Sequence, residues 1–314
     1  RLKIMATCLG AAVEPNVENI VMALFEELGK DRSEGFDILE KFQLLPHLYQ
    51  ELEALYGYKS SQPHINDFAI HLFESCYKSG LGATEAGDLN GEAAILMNHW
   101  QDSQKYRLDF EQLSKRFAEN LNIQQDLDHH QLSDLLPIDL FKAIDLRILE
   151  LLMGGVTRGT ITEPQCKAII QKRAGTYWYS GTLETMYQAV HKASELLKHV
   201  QDIHFEIDSI EDGMKKYTST WYLVDQLYRN YLYFTRQSNQ TTFFKPLNEM
   251  VEKHYCNNFL KPVNNNWQQV IDRENGFLSR DQLLPLHFNS DWVEPILMQN
   301  AKVAVIISDA FRYE

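Results

Sequence analysis

The sequence lacks several features that would place it in a common functional class. Its four cysteines, Cys8, Cys76, Cys166 and Cys256, are far apart and form no Cys-x-x-Cys pair. Neither a zinc finger nor a disulfide framework is therefore indicated, and isolated cysteines of this kind are typical of a reduced, cytoplasmic protein. No run approaches the roughly 18 apolar residues of a membrane-spanning helix. We expect no membrane association.

Basic charge is also scarce. The chain has 30 lysine and arginine residues against 43 aspartate and glutamate residues, which gives a formal net charge of -13. A protein dedicated to binding the phosphate backbone needs clustered lysine and arginine. Direct nucleic-acid binding is therefore not expected, although the net charge does not exclude a local basic groove.

Motifs for nucleophilic or phosphate-binding chemistry are missing as well. There is no Gly-x-Ser-x-Gly nucleophile elbow. The glycine-rich residues 79–91 contain no Gly-Lys-Ser/Thr and predict a loop. His129 and His130 lie among aspartates, but no second pair of ligands follows at helical spacing, which favours a solvated loop over a metal site.

What the sequence does contain is helical periodicity over most of its length. Thr162–Gln165 has the spacing of a capping box, and Pro137 suits the first turn of a helix that ends at Gly154-Gly155. No repeat of fixed period is present, so an irregular array is expected. Apolar residues recur at helical spacing in residues 16–29, 33–46, 65–77, 92–121, 137–153, 162–173, 181–201, 209–236, 243–259 and 263–274.

Two groups of aromatic residues invite a functional interpretation. Tyr177-Trp178-Tyr179 is either a platform that stacks on a base or a protein partner, or a cluster that packs a loop onto neighbouring helices. The aromatic stripe from Trp221 to Phe234 has helical spacing and is typical of core packing. Packing is the favoured interpretation of both.

The end of the sequence has a different character. Residues 303–307 are apolar and largely β-branched, which predicts a strand buried on both faces in a parallel sheet. Asp309 follows, at the position where open α/β sheets place their ligands. From the residues themselves, Asp309 either caps a helix that starts at Ala310 or ligates a metal, and the two roles are compatible.

These patterns predict a mainly α protein, an irregular multi-helix array that ends in the first β-strand of an incomplete α/β domain. We expect an N-terminal helical subdomain at residues 1–90, a central helical domain at 91–300 and the truncated strand region at 301–314. Because the sequence starts within a helical pattern and stops just after the strand, we expect it to be an internal piece of a larger protein.

The terminal motif, Val305-Ile-Ile-Ser-Asp-Ala-Phe-Arg-Tyr-Glu314, resembles the opening motif of PglZ proteins. These belong to BREX bacteriophage-defence systems and to the alkaline phosphatase superfamily, and the motif is more loosely similar to that of sulfatases and phosphodiesterases. The region that begins Arg1-Leu-Lys-Ile-Met-Ala looks like the middle of type A members. That longer resemblance is diffuse, so the terminal motif carries the specificity.

The resemblance implies that Asp309 binds a divalent metal, often zinc in this superfamily, in a metal-dependent phosphatase or related hydrolase. It further implies that the nucleophile and the remaining metal ligands follow Glu314. Ser308 precedes the ligand position and does not match the nucleophile. The present chain would then contain no catalytic residue and would serve as a scaffold or interaction module without activity.

The competing interpretation is a pure protein-interaction module that docks other BREX components, with a BrxB-like companion as the candidate partner. Its support is the large helical region, the acidic balance and the aromatic cluster around Trp178. A nucleic-acid-binding region is a third possibility, which the net charge opposes.

Overall fold

The computed structural model describes residues 1–11, 14–83, 89–274, 287–299 and 301–305. Regular structure within these residues is helical, with no β-strand among them, so the mainly α prediction is confirmed. The chain divides into two compact units, Arg1–Gly155 with Lys167–Glu184, and Val156–Cys166 with Thr185–Glu314. The domain boundaries predicted near residues 90 and 300 stay a prediction.

Most helices fall within the predicted segments, and π-helical turns continue several of them. The helix predicted at residues 33–46 ends at Lys41, and a helix that was not predicted covers Leu45–Tyr56. A 3-10 turn covers Leu127–His129, and π turns cover Tyr217–Trp221, His254–Leu260 and Asn289–Val293. The α-helices are α1 (Leu2–Cys8), α2 (Val17–Gly29), α3 (Glu34–Lys41), α4 (Leu45–Tyr56), α5 (Ile65–Gly80), α6 (Gly91–Asp102), α7 (Arg107–Asn120), α8 (Ile123–Asp126), α9 (Leu132–Leu135), α10 (Lys142–Arg158), α11 (Glu163–Arg173), α12 (Thr182–Asp202), α13 (Ile210–Lys216), α14 (Tyr222–Gln237), α15 (Lys245–Lys253), α16 (Lys261–Arg273) and α17 (Glu294–Leu297).

The helix predicted at residues 137–153 differs from the observed α10 at both ends. Pro137 precedes the helix, which begins at Lys142. At the other end, the helix continues through Gly154-Gly155 to Arg158, and Gly159 follows with φ of +70°. A glycine ends a helix by adopting a left-handed conformation, and Gly159 is the residue that does so here.

A buried ion pair in the first unit explains the late start of α10. Arg173 of α11 contacts Asp145 through two hydrogen bonds, Nη2 to Oδ2 at 2.7 Å and Nε to Oδ1 at 3.0 Å. Its Nη1 also donates to the carbonyl oxygens of Leu136 and Ile138, both at 2.9 Å. These two carbonyls are thus bonded to a side chain from another helix, and α10 begins after them. Both charged side chains are fully buried.

Aromatic rings fill the core of the first unit. Phe73 of α5 lies 5.3 to 5.6 Å, centroid to centroid, from the rings of Trp100, Phe110, Phe117 and Phe141. All of these rings are fully buried. Spacings of this size are typical of stabilising aromatic pairs, so the aromatic residues of α5, α6 and α7 hold these helices together.

Two of the π turns bring polar aromatic residues together in the second unit. Tyr217 and Tyr255 lie in separate π turns, and both donate to the Asp225 carboxylate, at 2.7 Å and 2.6 Å. Trp221 is buried in the first of these turns and Phe259 in the second. The stripe from Trp221 to Phe234 thus contributes to the core through Trp221 and Tyr231, whereas Tyr233 is exposed.

The predicted strand at the end of the chain is not confirmed. Residues 301–305 have no regular secondary structure, and residues 306 and 307 lie outside the described part of the chain. A strand requires a neighbouring strand to accept and donate its backbone hydrogen bonds, and the described residues supply none. No helix in the described residues is long and apolar enough to cross a membrane.

Candidate functional site

Asp309, the predicted metal ligand, lies outside the residues that the structure describes, as does Ser308. The described residues end at Val305, four positions before Asp309 in the sequence, and its side chain is half exposed. The metal that the resemblance implies at Asp309 therefore stays a prediction.

A different set of potential metal ligands lies in the second unit. Glu163 is the first residue of α11, and His191 and Glu195 are four residues apart on α12. Residues at this spacing lie on the same face of a helix. The side chains of Glu163, His191 and Glu195 are 14%, 14% and 25% exposed. The group is therefore largely screened from solvent but still accessible.

The three side chains converge through one atom each. His191 Nε2 is 3.8 Å from Glu163 Oε1 and 3.7 Å from Glu195 Oε1. One nitrogen or oxygen atom from each residue lies within 4.8 Å of the others. Among the described residues, Glu163, His191 and Glu195 are the acidic, histidine or cysteine side chains whose potential ligand atoms come together in this way.

Two lysines contact the outer side of the same cluster. Lys192 Nζ is 2.7 Å from Glu195 Oε2, and Lys198 Nζ is 3.8 Å from Glu163 Oε2. Each carboxylate therefore presents Oε1 to the imidazole and Oε2 to an ammonium group. Lys192 donates a hydrogen bond to Glu195, and the two ammonium groups offset the charges of the two carboxylates.

The start of α11 holds Glu163 in place. The Gln165 side chain accepts a hydrogen bond from the Thr162 backbone N–H at 2.9 Å, and from Thr162 Oγ1 at the same distance. The contact with the Thr162 backbone N–H is one of the two contacts of a capping box. The helix begins at Glu163, directly after Thr162, so its predicted start is confirmed. The sequence did not reveal the cluster, because Glu163 comes from a different helix and His-x-x-x-Glu also occurs at His47 and Glu51.

A cavity of about 620 Å³ opens beside the cluster in the second unit. Its lining includes Glu163 and Lys198 from the cluster, together with Ser194, Met250 and His254. Burial, with a smaller contribution from the charge of Lys253, lowers the pKa of His254. The cavity therefore gives water and small ions a route to the Glu163 side of the cluster.

A groove of about 680 Å³ crosses the first unit. Ser114, Ala118 and Ala143 line it together with Trp178, and Lys115 and Lys142 are exposed at its rim. Such a combination of an aromatic anchor, small residues and a charged rim is common where a protein binds a partner.

The aromatic triad is attached to the core beside this groove. The Phe110 ring lies 4.8 Å from Tyr177 and 6.3 Å from Trp178, centroid to centroid. Burial is the main cause that raises the pKa of Tyr177. These contacts support the packing interpretation of Tyr177 and Trp178, while Trp178 also borders the groove and retains the alternative of a partner contact.

His129 and His130 do not join a group of metal ligands in the described structure. His129 is exposed at the end of a 3-10 turn. His130 Nε2 is 3.1 Å from Asp126 Oδ2, which also accepts a hydrogen bond from Tyr77 at 2.7 Å. Asp126 thus links these side chains, and the segment includes a 3-10 turn, whereas the sequence favoured a solvated loop.

Comparisons with known proteins show what the chain is similar to. It is 21% identical over 319 residues to the alkaline phosphatase-like protein PglZ of Bacillus cereus (strain H3081.97), which covers 95% of this chain and 36% of that protein. It is 24% identical over 353 residues to the alkaline phosphatase-like protein BrxZ of Escherichia coli O9:H4 (strain HS), which covers 99% of this chain and 40% of that protein. No protein-family model and no solved structure matches it.

The chain spans less than half the length of these curated relatives, and both alignments include almost all of its residues. The two relatives carry the same alkaline phosphatase-like description. The resemblance that the terminal motif predicts is therefore confirmed, since the chain is similar over nearly its whole length to alkaline phosphatase-like proteins named PglZ and BrxZ.

Proposed function

We propose that this chain is the helical middle region of a metal-dependent phosphatase or related hydrolase that acts in bacterial defence against phages. The observation that carries the proposal is the alignment of 95% and 99% of the chain with two alkaline phosphatase-like proteins. Because the chain covers 36% and 40% of those proteins, its helices form a substantial section of such a molecule. The terminal motif around Asp309 supplies the link to the hydrolase.

In the whole protein, Asp309 serves as a ligand of the catalytic divalent metal, with zinc as the expected ion. Such a metal stabilises the charge that develops on a transferring phosphoryl group. The test is Asp309→Ala in the full-length protein, with the exposed Asp291→Ala as the matched control. We expect the first variant to lose bound metal and phosphatase activity and the second to keep both. Unchanged metal content and activity in Asp309→Ala would contradict this assignment.

By itself, the chain has no phosphatase activity, because the nucleophile and the other ligands of that metal are expected beyond Glu314. The purified chain should not hydrolyse a generic phosphate ester when zinc is added. Zinc-dependent turnover by the purified chain would overturn this part of the proposal while leaving its family membership intact.

The helices act as a scaffold that docks other components of the defence system, a BrxB-like companion among them. The groove beside Trp178 supports this role, since its floor is aromatic and small and its rim is charged. Reversing the rim charges with Lys115→Glu and Lys142→Glu should weaken co-purification of the companion, whereas Lys41→Glu, an exposed change on α3, should not. A wild-type chain that elutes as a monomer at high concentration and captures no companion would count against docking.

The alternative of a nucleic-acid-binding region has the net charge of -13 against it. Binding to the phosphate backbone weakens steeply with salt because counterions are released. We expect no gel shift at low micromolar protein, and a shift that disappears with added salt would favour the alternative.

A further inference from the structure

We infer that Glu163, His191 and Glu195 form a binding site for a divalent transition-metal ion such as zinc. This site lies in the helical region and uses none of the residues of the terminal motif. It therefore goes beyond the proposed function, which places a metal at Asp309.

The donor set suits such an ion. One imidazole nitrogen and two carboxylate oxygens are ligands that zinc accepts in proteins, where three protein ligands leave one position for water. The three donors lie on two different helices, Glu163 on α11 and the other two on α12. A set that converges from separate helices fixes the position of an ion better than neighbouring residues on one loop.

The spacing of the donors matches a shared ion. Zinc lies about 2.0 to 2.2 Å from nitrogen and oxygen ligands, so two ligands of a tetrahedral site stand roughly 3.4 Å apart. His191 Nε2 lies 3.8 Å and 3.7 Å from the two Oε1 atoms. These separations exceed the length of a normal hydrogen bond and need only a small inward movement of the side chains to coordinate an ion.

The surroundings complete the features expected of a metal site. Lys192 Nζ donates a hydrogen bond of 2.7 Å to Glu195 Oε2, and such partners orient the groups that contact a metal. The cavity of about 620 Å³ reaches Glu163 and provides both a route of entry and room for a bound water. The identity of the ligands, their spacing, the hydrogen bond from Lys192 and the access through the cavity all agree with a metal site.

The competing explanation is a simple ion-pair cluster, and Lys198 distinguishes the two. An ammonium group close to the site repels a divalent cation. If the cluster binds a metal, Lys198→Met should therefore tighten binding severalfold. If the cluster is only a set of ion pairs, the same substitution removes a favourable contact and leaves metal affinity unchanged.

The experiment uses the purified chain with Asp309→Asn, which removes the ligand predicted by the terminal motif. Zinc affinity is measured by competition with a chromophoric chelator, and cobalt is added in parallel because its visible absorption reports the ligand geometry. We expect one equivalent of metal per chain. His191→Ala and Glu195→Gln should each weaken binding at least about tenfold.

The matched control is His47→Ala, which removes a histidine that is also four residues before a glutamate on a helix, with Nε2 to Oε1 at 3.4 Å. It should keep the affinity of the parent chain. Circular dichroism establishes that each variant is folded, and Glu195→Gln preserves the shape of its side chain. Equal affinities in His191→Ala, Glu195→Gln and His47→Ala would overturn the inference, as would a cobalt spectrum that none of these variants changes.

Discussion

The two units of the chain treat their internal charges differently. In the first, Arg173 and Asp145 are both 0% exposed, and Arg173 also donates to two backbone carbonyls. In the second, the carboxylates around His191 keep 14% and 25% exposure. A buried charge is tolerated only when it is fully paired, so the first pair is fixed in place. A partly exposed cluster can exchange partners with water or an ion, and ligand binding is therefore expected in the second.

The largest effect should come from removing one member of the buried pair. Arg173→Met leaves the Asp145 carboxylate buried without its cation and also frees the carbonyls of Leu136 and Ile138. Breaking a buried pair in this way costs about 3–5 kcal/mol. The free energy of unfolding, measured by urea denaturation, should fall by that amount.

The double variant Arg173→Met with Asp145→Leu sharpens this test, because it removes both charges together. Replacing a whole buried pair by apolar residues is often nearly neutral, so much of the lost stability should return. If Arg173→Met lowers the free energy of unfolding by less than about 1 kcal/mol, the ion pair contributes no more than an exposed one. The two units would then not differ in how firmly their internal charges are held.

Close helix packing is a property that the second unit shares with the first. A Cβ atom on Gly213 of α13 would overlap the ring of Trp267 on α16, and one on Gly29 of α2 would lie 2.8 Å from Asp109 Cβ on α7. Gly213→Ala should destabilise the chain by about 1–3 kcal/mol, because overpacking forces neighbouring groups apart. Gly175→Ala, with no atom within 4 Å of the new Cβ, is the control.

Thermal unfolding of these two alanine variants would show whether the second unit is packed as tightly as its glycine contact indicates. If Gly213→Ala lowers the unfolding temperature no more than Gly175→Ala does, the close contact between Gly213 and Trp267 is not tightly packed. The second unit would then differ from the first in packing as well as in the exposure of its charges.

The contacts of Asp225 with Tyr217 and Tyr255 test whether partly exposed polar groups of the second unit are held less firmly than the buried pair of the first. All three side chains are partly exposed, so water can replace a lost hydrogen bond. Tyr217→Phe and Tyr255→Phe should each cost about 0.5–1.5 kcal/mol, well below Arg173→Met. Urea denaturation of the single and double variants measures the coupling. A loss as large as that of Arg173→Met would show that this cluster is as fixed as the buried pair.

The sequence predicted the parts of the fold that depend on local patterns. The start of α11 follows from the capping-box spacing, and the Thr162–Gln165 contact confirms it. The start of α10 was wrong because Arg173, far away along the chain, bonds to the carbonyls of Leu136 and Ile138. Local propensity cannot foresee a tertiary contact of this kind.

The candidate metal cluster was missed for the same reason. His191 and Glu195 show helical spacing, but nothing near them in the sequence points to Glu163. The Asp309 assignment has the opposite origin, since it comes from a local motif and lies outside the described residues. The sequence therefore pointed to the resemblance to alkaline phosphatase-like proteins, whereas the convergence of side chains from different helices required the structure.

The smallest effect should be the pH dependence of one buried tyrosine in the first unit. Burial, together with the hydrogen bond of 2.6 Å to Asp67, raises the pKa of Tyr58 to about 12. The unfolded chain releases this proton near pH 10. Stability due to Tyr58 is therefore complete below pH 10 and is lost as the pH rises towards 12.

Tyr58→Phe removes both this titration and the hydrogen bond. At pH 7–9 the variant should be less stable than the parent by about 1 kcal/mol. That difference should shrink between pH 10 and pH 12. In this range the unfolded parent chain loses the Tyr58 proton while the folded parent keeps it, so the folded state of the parent loses stability and that of the variant does not. Urea denaturation across this range measures the difference. If the difference in the free energy of unfolding stays constant over this range, Tyr58 has the same pKa in the folded and the unfolded chain. Arg173 and Asp145 would then be the remaining evidence that the first unit holds its buried polar groups more firmly than the second.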